Sequence, residues 1–132
     1  MTTAPARKAL AKAAAQSPSR LDQLRKLSVV VADTGDIDLI RQFRPQDCTT
    51  NPSLILKAAQ NPEYAHLVDE AIAFARRKAG TTETRVALAC DRIAVNFGEQ
   101  LLKVVPGRVS TEVDADLSFD TQATVAKARA VI

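Results

Sequence analysis

Two carboxylates, a hydroxyl and an amide stand where a chain of alternating strands and helices would gather its chemistry: Asp33, Glu112, Thr49 and Asn51. In the run Thr49-Thr50-Asn51-Pro52 the residue before proline is pushed out of the α region, and proline suits the first position of a helix, so a strand passes to a helix within one peptide. The carboxyl ends of strands carry the chemistry of parallel α/β folds, which puts Thr49 and Asn51 at the mouth of a site and able to bind a polar ligand. The same run also fits a capped turn and nothing more. Asp33 ends an apolar run and shares a face with Val29 and Val31. Glu112 lies within Val109–Asp114, where Val109, Thr111 and Val113 face one way and Ser110, Glu112 and Asp114 the other. If that second face points into a barrel, desolvation raises the Glu112 pKa and fits it for proton transfer; on an edge strand it meets water.

The elements that must position these four groups can be read from periodicity. Ser19 can cap a short helix with Leu21, Leu24 and Leu27 at a spacing of three, leading into the continuous apolar run Val29–Ala32, a strand buried on both faces. Asp36 caps a brief helix holding Ile37, Leu39 and Ile40, and the second strand begins at Asp47. Three helical segments follow: Pro52 to about Gln60; a restart at Asn61-Pro62 with Tyr64, Leu67, Val68, Ala71, Ile72 and Ala75 on one stripe; and about Glu83 to Val105 with Ile93, Ala94, Phe97, Leu101 and Val104 on another. After the third strand, Asp120 or Thr121 caps a last helix showing Val125, Ala128 and Ile132. The expected organisation is a basic leader over residues 1–18 and a folded domain over 19–132.

Composition narrows the classes of function. At 132 residues, 46% hydrophobic and 25% charged, the chain has the profile of one ordinary globular domain. The net charge of +3 conceals an asymmetry: six Lys or Arg against the single Asp22 through Lys26, then twelve against fourteen acids. Without aromatic residues among the leader charges, and with the remainder slightly acidic, nucleic acid is not an expected partner. Cys48 and Cys90 share no metal-ligand spacing and His66 lies beside neither, which points to reduced thiols and a cytoplasmic protein. An organelle is the alternative if the Ala-rich basic leader is a transit segment. No apolar run approaches the roughly 18 residues of a membrane span, so no membrane partner is expected.

Val30–Asp36, Thr49–Leu56 and Pro106–Asp114 closely resemble, in order and spacing, the amino-terminal part of transaldolase. Leu21–Leu24 and Pro62–Tyr64 are similar to that family too, so the resemblance runs from about Arg20 to Ile132, with departures at Asp116, where Arg is usual, and Cys48, where Ala is usual. It implies an α/β fold that is the amino-terminal part of a (β/α)8 TIM-type barrel: three parallel strands with flanking helices, the barrel not closed by this chain. It further implies a Schiff-base transferase of the pentose phosphate pathway. Such an enzyme moves a dihydroxyacetone unit from fructose 6-phosphate or sedoheptulose 7-phosphate to an aldose phosphate and requires no cofactor or metal. By the same resemblance Asp33 exchanges a proton with the substrate hydroxyl during carbon–carbon cleavage, Glu112 is the acid/base working through a bound water, Asn51 holds substrate hydroxyls, and Thr49 stands beside them.

The family's Schiff-base lysine sits on the fourth strand, which at about 30 residues per βα unit is expected beyond Ile132. Lys8, Lys12, Lys26, Lys57, Lys78, Lys103 and Lys127 fall in the leader or in predicted helices, and none matches the nucleophile. This chain alone is therefore expected to be inactive. Its expected partners are sugar phosphates and either a carboxy-terminal transaldolase chain or further copies joined through open sheet edges. The alternative is a non-catalytic α/β module that binds a sugar phosphate or a protein.

Overall fold

A computed structural model describes residues 18–132. The leader expected over residues 1–18 thus lies, except for Pro18, outside the described residues. Ser19 caps α1 (Arg20–Leu27) as its position predicts: its hydroxyl accepts from the Asp22 N–H while the Asp22 carboxylate accepts from the Ser19 N–H. The hydrogen bond from the Ser19 hydroxyl, then that from its backbone, holds the Asp22 carboxyl below its ordinary range.

The sheet belongs to a separate compact unit, Val31–Ile132. Its elements are β1 (Val31–Asp33), α2 (Ile37–Phe43), β2 (Asp47–Thr49), α3 (Pro52–Ala59), a 3-10 turn (Pro62–Tyr64), α4 (Ala65–Arg76), α5 (Thr82–Leu102), β3 (Val109–Ser110), a second 3-10 turn (Ala115–Leu117) and α6 (Thr121–Val131). The strands are all parallel in the order β1-β2-β3, with Asp33 opposite Thr49 and Thr49 opposite Ser110. This open three-stranded sheet with flanking helices is the arrangement of part of a (β/α) barrel.

Local chemistry starts the helices. Asp36 accepts from the Asp38 and Leu39 N–H groups, Asn51 from Leu54 ahead of Pro52, Thr81 from Thr84, and Asp120 from Ala123. Two glycines are required by close approach. A Cβ at Gly35 would stand 3.0 Å from the Leu54 carbonyl oxygen, where the β1–α2 turn crosses α3. At Gly107 it would run into the Asp47 carboxylate, which accepts the Arg108 N–H at 2.6 Å and ties the approach to β3 onto the start of β2.

The core lies on one face of the sheet. Ile37 and Ile40 of α2, Cys48 of β2, Ile55 and Ala58 of α3, Leu67 of α4, and Phe97 and Leu101 of α5 are buried together, with Ala32 and Val109 packed against them. Tyr64 meets Phe97 edge to face at 5.6 Å. The expected stripes of α4 and α5 are the buried ones, because each interface needs the i, i+3, i+4 face of its helix.

Three expectations change. The first strand starts at Val31, because β2 begins opposite it at Asp47, and Val31 is 50% exposed, so the apolar run is covered on one face only. The third strand stops at Ser110 because Asn51-Pro52 turns the neighbouring backbone into α3 and leaves no strand among the described residues opposite Thr111–Asp114. On α6 the covered side is Ala123, Thr124, Lys127, Ala128 and Val131, whereas Val125 and Ile132 are exposed.

Candidate functional site

Strand parity puts the polar groups opposite the core. Ala32, Cys48 and Val109 turn toward the helices, so Asp33, Thr49 and Ser110 turn to the uncovered face. There the Thr49 hydroxyl donates to Asp33 Oδ1 at 2.9 Å, joining the carboxyl ends of β1 and β2. The Cys48 thiol lies behind them on the core side; burial pushes its pKa up, and the Thr34 carbonyl it contacts at 3.5 Å only partly offsets this. Cys48 is therefore a packing residue and not a nucleophile.

Asn51 and Glu112 stand one step further along. Thr50 is buried and donates its N–H to the Ser110 carbonyl at 3.0 Å, and the extended backbone at Asn51 carries the alternation on by one residue. Asn51 uses its carbonyl oxygen to cap α3, while its amide N–H groups bond to nothing among the described residues. Beyond β3, Thr111 lies against α5, its hydroxyl 3.3 Å from where a Cβ of Gly98 would stand. Glu112 follows it, exposed and without a hydrogen bond among the described residues. The enclosure on which its expected desolvation depends is not supplied by these residues.

The four residues thus come together as two pairs. Asp33 and Thr49 are hydrogen-bonded. Asn51 and Glu112 line a cavity of about 220 Å³ walled by α3, α5 and α6, and also a shallower depression with Ser53, Leu54 and Val113. Asp33 and Thr49 line neither. An uncharged, largely aliphatic wall (Ile55, Leu56, Ala59, Ile93) faces an ionic one in the 220 Å³ cavity.

That ionic wall escaped the sequence reading. Lys127 Nζ lies 2.6 Å and 2.7 Å from the two carboxylate oxygens of Asp91 and 3.0 Å from Asp114 Oδ2. Burial by itself would lower the Lys127 pKa, but the hydrogen bonds and charges of the two carboxylates outweigh it and hold the ammonium above its ordinary value. Lys127 lies in a helix as expected, but its side chain is turned inward and only 20% exposed. Ala123, Lys127 and Val131 do recur every fourth residue along the covered side, but Thr121, Val125 and Arg129 recur at the same spacing on the exposed one, so the sequence did not single out this face. Cys90 is exposed beside this cavity. His66 is exposed and its Nδ1 rests 3.2 Å from the Glu63 carbonyl.

Known proteins are similar to this chain in sequence. A transaldolase of Histophilus somni (strain 2336) is 60% identical over 114 residues, and one of Vibrio cholerae serotype O1 (strain M66-2) is 57% identical over the same length. A protein named transaldolase B from Pasteurella multocida (strain Pm70) is also 57% identical. Each alignment takes in 86% of this chain and 36% of the relative, so the chain spans about a third of their length. The family model described as transaldolase/fructose-6-phosphate aldolase matches residues 30–132. That match covers the three parallel strands and every polar group placed at their ends, so the chain belongs to the transaldolase/fructose-6-phosphate aldolase family.

Proposed function

We propose that this chain carries the proton-transfer and hydroxyl-binding part of a Schiff-base transaldolase site acting on sugar phosphates such as fructose 6-phosphate and sedoheptulose 7-phosphate. The observation that carries the reading is the placing of Asp33, Thr49, Asn51 and Glu112 at the carboxyl ends of three adjacent parallel strands. In this reading Asp33, oriented by the Thr49 hydroxyl, takes the proton from the substrate hydroxyl as the carbon–carbon bond breaks. Glu112 moves a proton through water, and the Asn51 amide N–H groups, without a partner among the described residues, hold substrate hydroxyls. The nucleophile must be a neutral amine aimed at the ketose carbonyl. Among the described residues Lys127 is the lysine that shares a cavity with Asn51 and Glu112, and its carboxylate partners keep it charged. The covalent step therefore falls to a lysine supplied by other residues, and the 132-residue chain alone transfers nothing. The free cysteines Cys48 and Cys90 agree with a reducing, cytoplasmic setting.

Borohydride trapping with fructose 6-phosphate, followed by mass spectrometry, tests this. We expect no adduct on the chain alone, and trapping with dihydroxyacetone transfer once the carboxy-terminal two thirds of the Histophilus somni relative is supplied as a second polypeptide. In that pair Glu112→Gln lowers kcat by about 10² to 10⁴, the usual worth of a positioned acid or base. An adduct on Lys127, or an unchanged kcat in the Glu112→Gln pair, would overturn the assignment. A pair that binds sugar phosphate without transfer would favour the non-catalytic module.

A further inference from the structure

Glu112 sits on backbone that the sheet does not hold. β3 ends at Ser110, whose carbonyl takes its hydrogen bond from the Thr50 N–H, and no strand among the described residues pairs with residues 111–114. Thr111 rests on α5, which fixes one side of Glu112. On the other side stands Asp114, the residue just before the Ala115–Leu117 turn, at the capping position where an aspartate ordinarily turns its carboxylate back onto the N–H groups that follow. It caps nothing there. Its carboxylate reaches instead to Lys127 of α6, 3.0 Å away, and Lys127 holds both oxygens of Asp91 on α5. With Lys127 and Asp91 only 20% and 26% exposed, water competes with the Lys127–Asp91 pair less than with a surface pair, so the ammonium that meets the more exposed Asp114 is itself firmly anchored.

We propose that Lys127 is a positioning residue: anchored on α5 by Asp91, its ammonium holds Asp114 and so fixes the stretch that presents Glu112 beside Asn51. Three ammonium hydrogens on a compact charge can serve two carboxylates arriving from different elements. A planar guanidinium, with its rigid fork, matches one carboxylate better than two. The inference rests on the reading of Glu112 as the proton-transferring carboxylate.

The test is nitrogen-15 relaxation on the 132-residue chain with Asp114→Ala, Lys127→Met and Lys127→Arg. In the wild type the order parameters of Glu112 and Val113 should lie near the rigid value of about 0.85, and in Asp114→Ala they should fall below about 0.6, while those of Asn96–Leu101 stay unchanged. Lys127→Met should do the same and Lys127→Arg should recover part of the loss. In the reconstituted pair, Asp114→Ala should lower kcat and leave KM alone, since Asn51 and Thr49 are untouched. Unchanged order at Glu112 and Val113 in Asp114→Ala, or a loss spread equally over α5, overturns the proposal. Should Lys127→Met fail to fold, Asp114→Ala still decides, because Asp114 is 59% exposed and its loss leaves the Lys127–Asp91 contact in place. Order parameters report position and the Glu112→Gln kcat reports chemistry, so failure of either idea is seen separately.

Discussion

One helix, α5, meets α4 on one side and α6 on the other, and the two contacts are built differently. Against α4 it sets Phe97 and Leu101 beside Leu67, and the buried Asn96 gives one amide hydrogen to the Leu67 carbonyl at 2.8 Å and the other to the Glu70 carboxylate. Arg92 adds a contact 3.4 Å from Glu70 and lies over the Phe74 ring. Against α6 the main polar tie is Lys127 to Asp91, and α6 has no fully buried residue. Apolar burial scales with area and is indifferent to pH, whereas a half-buried ion pair rests on the charge state of its members. The first contact holds the fold; the second places a segment near the site.

Truncating the apolar contact should cost most. Phe97→Ala empties the centre of the core, where Phe97 is 0% exposed, and should lose roughly 3–5 kcal/mol in denaturant unfolding, lowering the midpoint for every probe together. Asn96→Ala comes next at roughly 1–3 kcal/mol, since the Leu67 carbonyl and the Glu70 carboxylate each lose a partner. A loss as large as that of Phe97→Ala would mean the polar bonds and not burial hold α4 to α5.

The pH effects are smaller and run in opposite directions. The Asn96 hydrogen bond first, and Arg92 after it, keep the Glu70 carboxyl below its ordinary value of 4.5. Its contribution is complete above that value and is lost as pH falls through the lower folded pKa. Lys127 has a folded pKa raised above its ordinary 10.5, so its contribution is complete below that value and is lost as pH rises through the folded pKa. Amide chemical shifts of α4 should therefore move in acid, and those of α6 should move in alkali with α4 steady. Movement of both helices together in alkali would erase the distinction. As the mildest probe, a thiol reagent should label exposed Cys90, next to Asp91, well before buried Cys48, whose pKa burial also raises. Equal rates would show that the core opens as readily as the α6 side.

Much of the fold was legible because its signals are local. Ser19, Asp36 and Asn51 each cap a helix within three residues of chain, and the buried stripes of α4 and α5 repeat at the helical period. The facing of Asp33 and Thr49 away from the core followed from a period of two. Less legible were the lengths of strands. Val109–Asp114 alternates throughout, yet pairing needs a neighbour, and the neighbour turns away at Pro52.

By itself the amino-acid sequence determined where helices begin, which faces are apolar, and which polar groups stand at strand ends, since these depend on contacts within a turn or on a fixed repeat. Tertiary structure alone decided that Lys127 would meet Asp91 and Asp114, because residues 36 and 13 positions apart come within 3.0 Å only through the packing of α6 on α5. It also decided that Val125 is exposed while Lys127 is covered. The sequence stripe allowed either face of α6 to turn inward. Burying the lysine stem with its ammonium paired to two carboxylates set the rotation, as the cost of a buried charge is met only where opposite charges already wait.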